Sequence, residues 1–243
     1  PNPLKNPARI GLYKGWAGSM DEGWTRLVLD THQIKYDSVG DPAMRSGDLA
    51  KYDVVLLPSI SENGLLRGLS ADRYPEEFSG GMGSDGIANL KRWVENGGRL
   101  VCFDASCGTV IKEFGLPVKN ILAGVNRRAF YNPGSIDKLE VDLRHPLAKN
   151  TLEETPAYFT NSSAFEVTGE SVAPVGRIRA VAYYANRDAL LSGWMLGENM
   201  INAKPALLEA AYGKGSIVLF AFRPQHRGQT WATFPFIFNT LEK

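Results

Sequence analysis

The fold is decided by the stretch Arg99-Leu-Val-Cys-Phe-Asp-Ala-Ser-Cys-Gly-Thr-Val-Ile-Lys-Glu-Phe114, in which an apolar strand runs directly into a short helical pattern. In α/β folds, a turn from a strand into a helix is the place where a nucleophile is exposed above the sheet edge. Such a turn would expose the sulfur of Cys107, and the adjacent helix N-terminus would lower the pKa of that thiol. The stretch therefore predicts an α/β fold, with Cys107 as the candidate nucleophile.

Strands and helices alternate before this stretch. Strands are predicted at residues 8–13, 34–39, 53–59 and 99–104, with helices that begin after Ser19 and at Ser84. Ser19 and Glu22 have the spacing of a capping box. The intervening residues 60–83 are rich in glycine and predict a long irregular loop. This alternation predicts a parallel sheet with helices on both of its faces.

The second half of the chain has a different character. Residues 135–142 and 177–184 alternate between apolar and polar side chains, which predicts strands within a β-rich insertion at about 123–196. Apolar strands return at 205–212 and 215–222, and a final helix begins near Thr230 or Thr233. We therefore expect one domain over residues 8–243, preceded by a proline-rich linker at residues 1–7.

Charge and composition limit the classes of partner. The chain has 27 basic and 26 acidic residues without a basic block, so nothing indicates nucleic acid or an anionic membrane. No apolar stretch approaches the ~20 residues of a membrane span. The two cysteines and three histidines match no metal motif, and we expect neither a metal nor a cofactor. The first residues lack an initiator Met and a signal pattern, so we expect a piece of a longer chain.

Four segments should meet at one edge of the sheet. Ligands of open parallel sheets bind outside the carboxyl ends of the strands, where residues 16–22, 58–61, 104–108 and 223–229 follow predicted strands. His226 lies in the last segment and is the candidate base for Cys107, which would make a Cys–His amide hydrolase. The candidate ligand-binding residues of this edge are Trp16, Asp21, Ser59, Asp104, Ser106, Arg223 and Gln225.

A nucleotide site is an alternative. Gly81-Met-Gly-Ser-Asp-Gly86 matches the G-x-G-x-x-G pattern before a helix, and Asp104 stands where a ribose-binding acid would follow. Such a loop normally follows a strand directly, whereas the nearest predicted strand here ends far upstream. A flexible loop that enters a helix is the competing interpretation.

Three segments carry a family resemblance. Residues 16–26 (WAGSMDEGWTR), 111–118 (IKEFGLPV) and 222–230 (FRPQHRGQT) resemble the C-terminal domain of large bacterial zinc carboxypeptidases, which is similar to class I glutamine amidotransferases. The resemblance implies a flavodoxin-like three-layer sandwich with a mostly parallel sheet. It also implies an exported parent chain, whose preceding peptidase domain would be the partner of this segment.

The resemblance also bears on catalysis. The amidotransferase nucleophile would correspond to Cys107 and the base to His226, but Gly228 stands where the acid that orients the base belongs. The expected elbow G-x-C-x-G is absent, because Ala105 and Thr109 replace its glycines. We therefore expect a non-catalytic accessory domain for interdomain packing, oligomerisation or recognition of a peptide or glycan. A Cys–His hydrolase with Glu22 or Asp104 as its acid remains the alternative.

Overall fold

The computed structural model describes residues 3–243 of the chain. Its strands are β1 Ile10–Tyr13, β2 Asp37–Val39, β3 Val54–Leu57, β4 Arg99–Phe103, β5 Val118–Asn120, β6 Tyr131–Val141, β7 Glu154–Phe159, β8 Phe165–Val167, β9 Val175–Tyr184, β10 Leu190–Leu196, β11 Pro205–Tyr212 and β12 Gly215–Phe220. Its α-helices are α1 Met20–Thr31, α2 Asp41–Ser46, α3 Glu62–Leu66, α4 Gly83–Glu95, α5 Ala105–Phe114 and α6 Phe234–Thr240.

The position of the candidate site follows from the strand order in the parallel half of the sheet. Strands β2, β1, β3, β4 and β12 are hydrogen-bonded in that order, and every neighbouring pair among them is parallel. The predicted mixed α/β fold with a parallel sheet is therefore confirmed, and this order is consistent with a flavodoxin-like fold. Strand order reverses between β1 and β3, and ligands of such folds bind in the crevice at that reversal.

Helices cover both faces of this half, because each strand is apolar on both sides. Along β3, Val54 and Leu56 belong to one core, whereas Val55 and Leu57 belong to the other. Helices α1 and α6 pack on the first face, and α2, α4 and α5 pack on the second. Two buried cores of this kind supply most of the apolar burial that stabilises a three-layer domain.

The β-rich segment continues the same sheet. Beyond β12 the order runs β11, β9, β6 and β10, all antiparallel, and β7 also pairs with β6. Strands β5 and β8 form a separate two-stranded sheet. The insertion predicted at about 123–196 therefore forms antiparallel strands attached to the parallel half, and β7 reaches the carboxyl edge where the candidate site lies.

Some local predictions need correction. Residues 60–83 are not one irregular loop, because they contain α3 and a 3-10 turn at Glu76–Phe78. Helix α2 was not predicted, although Pro42 in its first turn and the left-handed Gly47 after its end are typical helix signals. Ser19 does cap α1, since its hydroxyl accepts a hydrogen bond from the Glu22 amide at 3.1 Å. The Glu22 carboxylate pairs instead with Arg26, at 3.5 Å.

The described part of the predicted linker is attached to the domain. The amides of Lys5 and Ala8 donate to the Glu242 side chain and the Leu241 carbonyl, at 2.8 and 2.9 Å. Residues 1 and 2 of that linker lie outside the described residues. Between residues 3 and 243, no helix has the length and apolar character needed to cross a membrane.

Candidate functional site

Asp104 occupies the turn between β4 and α5. Its backbone has φ 48° and ψ −112°, a conformation that non-glycine residues rarely adopt. Backbone strain of this kind costs about 1–3 kcal/mol and persists only where the surrounding structure holds it. In α/β folds, the residue at such a turn presents its side chain above the sheet edge. The elbow residue is therefore Asp104 and not Cys107.

The carboxyl group of Asp104 is buried, and its Oδ2 is paired with two side chains. Its Oδ2 accepts a hydrogen bond from the Ser59 hydroxyl at 3.0 Å and lies 2.9 Å from the Arg223 guanidinium. Only 4% of Asp104 is exposed. Burial raises the pKa of Asp104 to about 6, although Arg223 and the Ser59 hydroxyl act in the opposite direction. The carboxylate is thus held in place and shielded from water.

Arg223 joins two of the segments that follow parallel strands. Its Nε lies 3.1 Å from Asp21 Oδ1, an ion-pair distance, although the two atoms are not aligned as a hydrogen bond. Burial raises the pKa of Asp21, and the Arg223 charge opposes that shift. A second guanidinium nitrogen donates to the Thr160 carbonyl at 3.2 Å. We call Asp21, Ser59, Asp104 and Arg223 the elbow cluster.

The elbow cluster shows that the four predicted segments do meet at the crevice beside β1 and β3. Gln225 belongs to the same region, because its Nε2 donates to the Asp21 carbonyl at 3.4 Å. Gln225 is fully buried, and its Oε1 has no partner among the described residues. The structure thus brings these predicted residues together, and a ligand for them stays a prediction.

Cys107 lies one helical turn beyond the elbow and faces the core. Its thiol is 3.3 Å from the Cys102 carbonyl and 3.2 Å from the Phe220 carbonyl. It is 0% exposed, and burial raises its pKa well above the usual range. The expectation of an exposed sulfur with a lowered pKa is wrong, because the strained turn ends three residues earlier. A neutral, buried thiol is a poor nucleophile.

His226 lies in a different environment from Cys107. Its ring stacks on Tyr158 with centroids 4.1 Å apart and meets the edge of Trp24 at 4.7 Å. Burial, followed by the charges of Arg227 and Arg223, lowers the pKa of His226 to about 4. Its buried Nδ1 has no hydrogen-bond partner in the described part of the chain. The imidazole is therefore neutral at physiological pH, and no carboxylate of residues 3–243 is hydrogen-bonded to it.

The remaining predicted site residues have structural contacts. Ser106 is fully buried, and its hydroxyl donates to the Leu57 and Phe103 carbonyls at 3.1 and 2.9 Å. It ties the start of α5 to β3 and β4. Trp16 is 45% exposed and packs edge-on against Phe78, with ring centroids 5.0 Å apart. Trp16 is therefore the predicted ligand-binding residue that remains open to solvent.

Sequence reasoning missed Tyr158 and Trp231. Tyr158 lies on β7, and only the folding of the β-rich segment brings its ring against His226. Trp231 follows the 222–230 segment and is 75% exposed. The sequence signal for Trp231 was its position as a large aromatic residue directly after the segment 222–230, which carries the family resemblance.

A second buried carboxylate was also missed. Asp137 on β6 is 0% exposed and accepts hydrogen bonds from Ser135 at 2.6 Å and Asn132 at 3.2 Å. Burial raises the pKa of Asp137 to about 6. Within residues 3–243, no three His, Cys, Asp or Glu side chains are grouped so that they could hold a metal ion.

Two of the glycines within residues 81–86, Gly81 and Gly86, serve packing. A β-carbon on Gly81 would lie 2.5 Å from the Leu65 carbonyl oxygen, and one on Gly86 would lie 2.6 Å from the Met82 β-carbon. Both approaches are closer than real side chains allow. The loop enters α4 without a preceding strand, and only an isolated bridge joins Leu69 to Gly80. Close packing explains Gly81 and Gly86, and a φ of 60° explains Gly83, without a phosphate ligand.

Gly81→Ala should lower the free energy of unfolding by about 2–3 kcal/mol, because the added methyl group overpacks the loop against α3. Gly83→Ala is the matched control. Its φ is 60° but no atom lies within 4 Å of the added β-carbon, so we expect a loss of about 1 kcal/mol. Urea unfolding measures both. Equal effects would contradict the packing explanation. A thermal shift with NAD or ATP that Gly81→Ala removes would support the nucleotide alternative instead.

Comparison with known proteins defines the class of fold. No protein-family model matches the sequence. No curated protein sequence matches it either. A protein from Salmonella typhimurium, named a cytoplasmic protein, has a similar structure with a TM-score of 0.59 and 15% identity, over 96% of this chain and 97% of that one. A ThuA-like protein from Bacteroides uniformis has a TM-score of 0.52 and 13% identity, over 99% of this chain and 92% of that one.

A longer enzyme contains a similar fold. The β-galactosidase from Bacillus circulans matches with a TM-score of 0.57 and 13% identity, over 98% of this chain but only 31% of that one. At these identities the likeness defines a fold and not an activity. The predicted export is contradicted, because a second S. typhimurium protein matched over 96% of this chain is also named cytoplasmic.

Proposed function

We propose that this chain is a non-catalytic accessory domain on a class I glutamine amidotransferase-like scaffold. The observation that carries the proposal is the occupant of the elbow: Asp104 stands there, buried and paired with Arg223 and Ser59. A working cysteine amidotransferase needs an accessible thiolate and an oriented base. Here the Cys107 thiol is sealed in the core and His226 contacts aromatic rings.

The proposal also includes the longer chain of which this domain would be a part, a zinc carboxypeptidase-like protein. The segments 16–26 and 222–230, which resemble a carboxypeptidase-associated domain, supply Asp21 and Arg223 to the same ion pair. We infer that their role in this chain is to keep the Asp104 carboxylate paired and buried. The β-galactosidase match supports an accessory role, because the similar region is less than a third of that longer hydrolase. We infer a preceding peptidase domain as the covalent partner.

A second candidate is a hydrolase that uses Asp104 in place of the cysteine. The strained backbone at Asp104 and its raised pKa of about 6 favour this candidate, because both features are frequent at catalytic carboxyl groups. The contacts of Asp104 oppose it, since Ser59 and Arg223 both contact its Oδ2 and only 4% of the side chain is exposed.

An activity assay tests the proposal. Purified chain should not hydrolyse glutamine, asparagine or simple amides above the buffer rate, because the Cys107 thiol is buried and the Asp104 carboxylate is paired with Ser59 and Arg223. Cys107→Ala and Asp104→Asn are assayed in parallel. Turnover that disappears in Cys107→Ala would restore the Cys–His hydrolase, and turnover that disappears in Asp104→Asn would establish the second candidate.

A further inference from the structure

An aromatic cleft lies beside the elbow cluster. It is a cavity of about 450 Å³ between β7 and residues 226–232, and its lining includes Pro156, Tyr158, His226, Arg227, Gln229 and Trp231. We call it the Trp231 cleft. Trp231 also lines a second cavity of about 440 Å³, which is mainly apolar and is lined by Leu27, Phe234 and Phe238 as well. Trp231 therefore borders both cavities.

The rings of the cleft are held before any ligand arrives. Tyr158 and His226 are stacked with an interplanar angle of 22°, and Trp24 supports His226 from the side. The Trp231 Nε1–H donates to the Gly228 carbonyl at 3.0 Å, which fixes one edge of an indole that is 75% exposed. Rigid aromatic surfaces lose little conformational entropy when they bind, so they favour a ligand with a flat or apolar body.

The charge of the cleft favours an anion. Arg227 lines the cleft, is exposed, and has no carboxylate partner within the described part of the chain. None of the described residues that line the cleft is acidic. Sugar hydroxyl groups are usually bound with the help of acceptors, and an unpaired guanidinium is instead suited to a carboxylate, which it can bind through two hydrogen bonds.

We propose that the Trp231 cleft binds a carboxylate joined to an aromatic or large apolar side chain, which is the chemistry of the C-terminal residue of a peptide. The carboxylate would pair with Arg227, and the side chain would lie against Trp231 and Tyr158. The inference rests on the proposed non-catalytic function and gives that domain its ligand class. A free aromatic amino acid shares this chemistry but adds an ammonium group, which the Arg227 charge disfavours.

Calorimetric titration of the whole chain tests the proposal with defined probes. These are N-acetyl-phenylalanine, its amide, free phenylalanine, the peptide N-acetyl-Gly-Gly-Phe, and cellotriose as the glycan. We expect the acid to bind at least about tenfold more tightly than the amide, with the peptide at least as tight as the acid and free phenylalanine weaker. Arg227→Gln should remove the preference for acid over amide. Trp231→Ala should weaken both by at least about tenfold.

Controls keep the result interpretable. Arg227 and Trp231 are exposed, so these variants should unfold at the wild-type temperature, and Arg144→Gln alters a distant exposed arginine with 91% of its side chain accessible. Equal binding of acid and amide, unchanged binding by Arg227→Gln, tighter binding of cellotriose, or no saturation below about 10 mM would each overturn the proposal. The amide-hydrolysis assay is separate, so failure of the proposed function would be seen independently.

Discussion

Arg223→Met should lower the free energy of unfolding by about 3–5 kcal/mol at pH 7.5, because it leaves two partly or fully buried carboxylates without their cation. Asp104 and Asp21 are 4% and 15% exposed at their side chains, and both lie within 3.1 Å of the guanidinium. Methionine fills a similar volume, so the loss reports mainly the missing charge. Urea unfolding at pH 7.5 and at pH 5 measures the effect.

The pH dependence of this loss identifies its cause. Without Arg223, the pKa of Asp104 should rise further, so protonation at pH 5 should recover part of the stability. Arg144→Met is the matched control: its ion pair with Asp142 is 2.8 Å long but exposed, and we expect a change below about 1 kcal/mol. A loss below about 1 kcal/mol in Arg223→Met, equal at both pH values, would show that the elbow cluster does not stabilise the fold.

Asp104→Asn should flatten the dependence of stability on pH. Burial raises the folded-state pKa of Asp104 from 3.8 to about 6, so its contribution to stability is complete below pH 3.8 and is lost as the pH rises through 6. At about 1.4 kcal/mol per pKa unit, this carboxyl group should cost the wild type about 1–2 kcal/mol between pH 5 and pH 8. The variant lacks the titration and should lose less over the same range.

Asp137 and His226 also make the stability of the wild type depend on pH. Asp137 has the same sign, since its pKa is also raised to about 6. His226 has the opposite sign: its pKa falls from 6.5 to about 4, so its stability contribution is lost as the pH falls through this window. The difference between Asp104→Asn and wild type cancels both, and Asp137→Asn is the control at the other buried carboxyl group. Parallel stability profiles for Asp104→Asn and wild type would contradict the assignment.

The alternation of strands and helices could be predicted from the sequence because each parallel strand is apolar on both faces. The same pattern marked residues 99–104 as a strand and the carboxyl edge as the meeting place of four segments. Strand β7 could not be predicted, because its short alternating pattern depends on pairing with β6 for its burial. Register and pairing in an insertion are tertiary properties that local periodicity does not encode.

The site itself was predicted only in part. Asp21, Ser59, Asp104 and Arg223 were all candidates, and their convergence follows from the topology. It could not be predicted that Asp104, and not Cys107, occupies the turn between β4 and α5. The two residues are one helical turn apart, and sequence patterns locate a strand end only within a few residues. The positive φ of Asp104 carried no glycine signal. The stacking of Tyr158 on His226 depends on the folded insertion, and no local sequence pattern predicts it.

The central claim is that Cys107 is buried in the core and does not serve as a nucleophile. The alkylation rate of Cys107 tests this claim most directly. Iodoacetamide at pH 7.5, followed by peptide mass spectrometry, measures Cys107 and Cys102 separately in native buffer and in urea. Because both thiols are fully buried, we predict that native Cys107 reacts at least about a hundredfold more slowly than the unfolded chain, and only through opening of the fold. Native alkylation of Cys107 as fast as in urea, with Cys102 still protected, would contradict the account.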